Sequence, residues 1–152
     1  MKRFAPASLA IGLILVVAPP ASTAPTQSHP PDPSITNGSA QRNLNAARRR
    51  WSRHRPHSYT YRVRVECFCM PESHTFVVRN GTPEDPPRRW RFAATAKRLF
   101  KLVQSAIDQR PDGLIVKYRK KNGLLKRLSV DPEANAADEE YTYLVDRFHR
   151  LR

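Results

Sequence analysis

The sequence predicts an α+β fold, an antiparallel sheet of about five strands with helices packed on one face, in the order helix, two strands, helix, three strands. Three observations carry that expectation. Residues 59–69 alternate apolar and polar side chains with period two, the pattern of a half-buried strand. Two stretches, 41–52 and 96–109, carry apolar residues at helical spacing. Two Asn-Gly pairs, at 80–81 and 122–123, sit between strand-like runs and mark hairpins.

In QRNLNAARRRWS, residues 41–52, Leu44, Ala47 and Trp51 are spaced three and four apart on one face, and arginines fill the other. From Tyr59 the apolar set is Tyr59, Tyr61, Val63, Val65, Cys67 and Cys69, interleaved with Thr60, Arg62, Arg64, Glu66 and Phe68. Met70 and Pro71 end the strand, because proline donates no ladder hydrogen bond and restricts the residue before it. HTFVVRNG, residues 74–81, is a second strand closed by Asn80 and Gly81, the pair best suited to a type I′ turn. Pro83, Pro86 and Pro87 then confine any return strand to a broken or edge position. Thr95 reads as the N-cap of a helix to about Gln109, with Ala96, Leu99, Phe100, Val103 and Ile107 as its stripe. Residues 114–120 and 124–130 form two strands around Asn122 and Gly123, and YTYLVDRF, after an acidic loop at 131–140, makes the last.

Together these residues resemble a family of small exported bacterial proteins and lipoproteins catalogued as a domain of unknown function, DUF6174. The likeness rests on Trp51, Tyr59-Thr60-Tyr61, Cys67-Phe68-Cys69 with Pro71 behind, the hairpin at 77–81, Thr95 with Leu99 and Phe100, Val116 with Tyr118, Gly123, Asp131 and the 138–140 acidic run before Tyr143. It covers residues 44–148 or so. The chain departs from that family's usual acidic residue after the tyrosine and proline after the glycine, with Arg119 and Leu125 in their places. The resemblance implies fold and compartment and carries no activity.

The domain expectation is a signal peptide over residues 1–24, a disordered Pro/Ser/Thr-rich linker over 25–40 and one α+β domain over 41–152. Lys2 and Arg3 precede an apolar run at 9–18 that is too short to span a bilayer as a helix and suits a secretory signal. No cysteine follows it closely, so the expected destination is secreted or periplasmic without an N-terminal lipid anchor. The formal net charge of +14 predicts attraction to polyanions. With an export signal and no nucleic-acid motif, the expected counterparts are anionic envelope components rather than a specific nucleic acid, and the expected state is a monomer.

Cys67 and Cys69 are the chain's two cysteines. An oxidising compartment favours a disulfide between them, which requires the strand to bend there, since a continuing strand holds residues i and i+2 at the outer limit of disulfide reach. A reduced buried pair, a redox centre, and a soft-metal set of Cys67, Cys69, Met70 and His74 suited to Cu(I) are the alternatives. Arg88, Arg89 and Arg91 around Trp90 form the candidate anion site, with Trp90 as an exposed stacking ring. Asp131, Glu133, Asn135 and Asp138 lack the central glycine of a calcium loop, and His54, His57, His74 and His149 with Ser58 or Ser73 fall in no triad context. The expected function is a non-enzymatic, envelope-associated binding module with a basic surface and no cofactor, against a periplasmic thiol-redox or Cu(I)-binding alternative.

Overall fold

Alternation along β1, Tyr59–Cys67, sets the architecture. Tyr59, Tyr61 and Val63 are buried, while Thr60, Arg62 and Arg64 turn to the opposite face of the sheet. The computed structural model describes residues 29–136 and 139–151, so the expected signal peptide and the first residues of the expected linker lie outside it. β2 (Glu72–Arg79), β3 (Thr82–Pro83), β4 (Gly113–Tyr118), β5 (Leu125–Asp131) and β6 (Tyr141–Arg150) complete an antiparallel sheet ordered β3-β2-β1-β6-β5-β4. The sixth strand is the two-residue β3, an edge where Pro83 costs no ladder bond. Asn80 and Gly81 both take positive φ (49° and 80°), as a type I′ turn demands.

α2 (Ser39–His54) and α3 (Ala96–Gln109) bring Leu44, Ala47 and Trp51, and Leu99, Phe100, Val103 and Ile107, into one core with the strand residues Tyr61, Val63, Phe76, Val78, Leu128, Val130 and Val145. All those strand residues share one side of the sheet, so the helices cover one face and leave the other open. The Thr95 side chain caps α3 by accepting from the Arg98 amide at 3.2 Å.

Two expectations are corrected. The chain before residue 41 is ordered from His29 on. In α1 (Pro33–Thr36), Pro33 takes the first helical position and the Asp32 carboxylate accepts from the Ser34 amide at 2.7 Å and from the Leu114 amide, on β4, at 2.9 Å. Ile35 packs on the core, so Asp32 and Ile35 tie to the domain a segment whose composition reads as linker. The second correction is a 3-10 helix, Arg88–Ala93, in the proline-flanked stretch. Its Trp90 is buried, with 3% exposure, rather than displayed. The Tyr61 hydroxyl donates to the Ala93 carbonyl at 2.5 Å, and the Ala96 amide donates to the Tyr59 hydroxyl at 3.3 Å, so two strand tyrosines anchor this helix and the start of α3.

Candidate functional site

The turn between β4 and β5 and the end of β6 come together as a basic groove. β5 pairs with β6, and β6 runs on to Phe148, His149 and Arg150, which meet Lys117, Tyr118, Arg119, Lys120, Lys121, Asn122 and Lys126 around a volume of about 880 Å³. Six of those side chains are Lys or Arg, and no Asp or Glu among the described residues lines the groove. None of the six makes an ion pair among the described residues, whose pairs all lie elsewhere. Uncompensated like charges around one depression repel each other and create a positive potential that an anion relieves.

The local fold explains how the sequence holds this arrangement. The Arg119 amide donates to the Leu124 carbonyl and the Gly123 amide to the Arg119 carbonyl, both at 2.8 Å, leaving Lys120 to Gly123 as the loop. Asn122 is buried, and its side-chain oxygen accepts from the Leu124 amide at 3.1 Å. Gly123, at φ 79°, lies against α2 so closely that a Cβ would sit 2.4 Å from the Ala47 carbonyl oxygen. Arg147 takes φ 45° in β6, where the register with β1 shifts between Thr60 and Arg62. Beyond that irregularity the Phe148 ring sits 6.1 Å from Trp51 and 5.9 Å from Tyr59. Arg150 donates to the His54 carbonyl at the C-terminal end of α2, at 3.2 Å, which fixes the other wall.

Within the groove, Arg119 donates to the Val145 carbonyl at 3.2 Å, and its guanidinium carbon lies 5.8 Å from the centre of the Phe148 ring. The Arg119 Nε and the Tyr118 hydroxyl are buried with no hydrogen-bond partner among the described residues. Burial pushes the Tyr118 phenol well above its ordinary range, and the charge of nearby Arg48 only partly offsets this, so Tyr118 stays a neutral donor at physiological pH. The site therefore offers cationic charge, aromatic surface and N–H or O–H donors, the set that suits phosphate, sulfate or carboxylate groups.

Sequence reasoning placed the anion site elsewhere. Arg88, Arg89 and Arg91 are exposed, but the buried Trp90 stacks on His74 (5.8 Å) and Phe92 (5.9 Å) and is no free base-stacking platform. Arg89 is paired with Glu72 at 3.2 Å. The groove's signal was present in KYRKKNGLLKR, residues 117–127, which holds six cations and no acid. What the sequence hides is that residues 148–150 close it.

The cysteines stand at the far end of β1. The strand ends at Cys67, the chain bends at Phe68 and Cys69, and the two sulfurs meet with their Cα atoms 5.0 Å apart, inside disulfide reach. His74 does not join them. It pairs in register with Val63, meets the Phe76 ring edge to face (4.7 Å) and stacks on Trp90, about 13 Å along β1 from Cys67 at ~3.3 Å per residue, so the soft-metal set is not assembled. No group of three or more His, Cys, Asp or Glu side chains is arranged to hold a metal ion among the described residues. In the acidic loop, Asp112 accepts from the Ala134 amide at 2.9 Å, while Asp138 lies outside the described residues. Ser58 accepts from the Asn80 amide and the His57 carbonyl from the Gly81 amide, so both brace the first hairpin. His149 alone among the candidate histidines lines the groove.

A family model described as "Family of unknown function (DUF6174)" matches residues 43–150. No curated protein and no solved structure matches the chain.

Proposed function

Starting from a chain that belongs to this family of unknown function, we propose an exported, non-enzymatic bacterial protein that binds anionic polymers of the cell envelope through the groove between the β4–β5 turn and the end of β6. One observation carries the reading. Among the described residues, six cations line one groove with no Asp or Glu beside them, although several other cations pair with acids. Export is supported by Lys2 and Arg3 ahead of the apolar run at 9–18. In that compartment Cys67 and Cys69 form a disulfide that fixes the shape of the β1–β2 tip and takes no part in polymer binding.

The test is equilibrium binding of linear polyphosphate and of a sulfated polysaccharide across a salt series. The reading expects affinity to fall linearly in log–log form with salt, and Lys120→Gln, Lys121→Gln and Lys126→Gln together to weaken both polymers and flatten the slope. Polymer affinity that the triple variant leaves unchanged would refute the assignment.

A further inference from the structure

The β1–β2 tip exposes two large apolar side chains that the groove does not explain: Phe68 is 82% exposed and Met70 86%. Met70 continues into a second depression, about 320 Å³ in volume, with Val65, Trp90, Phe92 and Tyr143 in its walls. Phe92 also floors the neighbouring slot between the 3-10 helix and α3, beside Leu102, where Arg91, Arg98 and Lys101 stand at the rim. An apolar strip thus runs from Met70 through Phe92 to Leu102, edged by cations, and the exposed Phe68 stands two residues before Met70 at the same tip. Arg91, Arg98 and Lys101 form no ion pair among the described residues. The two carboxylates nearest the tip on β1 and β2 are taken, Glu66 by Arg64 at 3.7 Å and Glu72 by Arg89 at 3.2 Å. Glu140 lies on the other flank with Cys67, Phe68 and Tyr141.

We propose that this end of the molecule docks on an anionic lipid bilayer, with Phe68 and Met70 entering the headgroup–acyl boundary and Arg91 and Lys101 meeting lipid phosphates. Apolar side chains beside unpaired cations are what an anionic interface recognises, since one part gains by leaving water and the other by approaching the surface potential. No helix among the described residues is long and apolar enough to cross a membrane. The basic groove lies at the other end of β1, where Tyr59 pairs with Arg150, roughly 26 Å from the tip at ~3.3 Å per residue. One face can therefore hold lipid while the other holds polymer.

The test uses the full chain with Phe68→Trp, whose emission reports the tip itself whatever else in the chain meets lipid. Vesicles of phosphatidylcholine with phosphatidylglycerol should shift that emission to the blue, and brominated acyl chains should quench it beyond the parent protein's signal. Phosphatidylcholine alone should bind far more weakly, and Arg91→Gln with Lys101→Gln should cost about thirtyfold in affinity for the anionic vesicles. Lys120→Gln, Lys121→Gln and Lys126→Gln should leave the blue shift in place, so failure here and failure of the groove assignment read out separately. No shift with anionic vesicles overturns the proposal, as does an equal shift with neutral ones. Self-association that Phe68→Ser with Met70→Ser abolishes, without vesicle binding, would assign the tip to a second copy of the chain instead.

Discussion

Gly123 meets Ala47 backbone to backbone: a Cβ on the glycine would lie 2.4 Å from the alanine carbonyl oxygen and 3.1 Å from the Trp51 amide nitrogen. That approach presses the lysine-bearing turn onto α2. Gly123→Ala introduces both this collision and a left-handed backbone that L residues disfavour, so it should destabilise the fold by about 2 kcal/mol or more. Urea unfolding of parent and variant checks this, and a loss under ~0.5 kcal/mol would mean the turn is free to move off the helix.

Trp90→Ala should act on stability rather than on binding. The ring is buried against His74, Phe76 and Phe92, and its removal opens a cavity costing about 3 to 5 kcal/mol. Polymer affinity of the folded fraction should stay near that of the parent. A stable variant with lost affinity would return the site to residues 88–91.

Stability should fall at both ends of the pH scale. At Asp32, burial pushes the pKa up, but hydrogen bonds from Ser34 and the Leu114 amide outweigh it and hold the carboxyl below its ordinary range. Asp146 is lowered chiefly by its hydrogen bond from Arg62, against a smaller opposing effect of burial. Groups with depressed folded values stabilise above their unfolded pKa of about 4 and lose that contribution as pH falls through the folded value. Burial raises the phenols of Tyr59, Tyr61 and Tyr118, so their contribution is present below pH ~10 and lost as pH rises beyond it. Thermal melts from pH 2 to pH 12 should show a plateau with two falling limbs. Tyr118→Phe should soften the alkaline limb at little cost near neutrality, since that hydroxyl has no hydrogen-bond partner among the described residues.

On the proposed export to an oxidising compartment, the protein isolated without reductant should present no thiol to a maleimide after unfolding until it is reduced. Two reactive thiols in the unreduced, unfolded chain would refute the disulfide. Cys67→Ser with Cys69→Ser should cost no more than about 2 kcal/mol, because so small a ring constrains little of the unfolded chain.

The features legible in the sequence were those whose cause is local. The Thr95 cap, the Asn80-Gly81 turn and the alternation through Val63 each depend on a few adjacent residues, and each stands where expected. Arg88–Ala93 was missed because its anchor is distant. The tyrosine that holds it lies 32 residues earlier, and no local period marks Trp90 as buried. The ordering of residues 29–40 has the same origin, since Asp32 acts through Leu114, 82 residues away. The groove joins a turn dense in lysine to residues of β6 through strand pairing, so its cations could be seen in the sequence but their meeting with Phe148, His149 and Arg150 could not.

Polyphosphate titrations at two salt concentrations, on the parent, on Lys120→Gln with Lys121→Gln and Lys126→Gln, and on Arg88→Gln with Arg89→Gln and Arg91→Gln, test the central claim most directly. Both variants remove the same charge, so only position distinguishes them. The groove variant should reduce the log–log salt slope by about 2 to 3 and weaken binding by at least tenfold near physiological salt, while the other set loses several-fold less. Equal losses from the two sets would reduce the binding to net charge alone and contradict a built anion site.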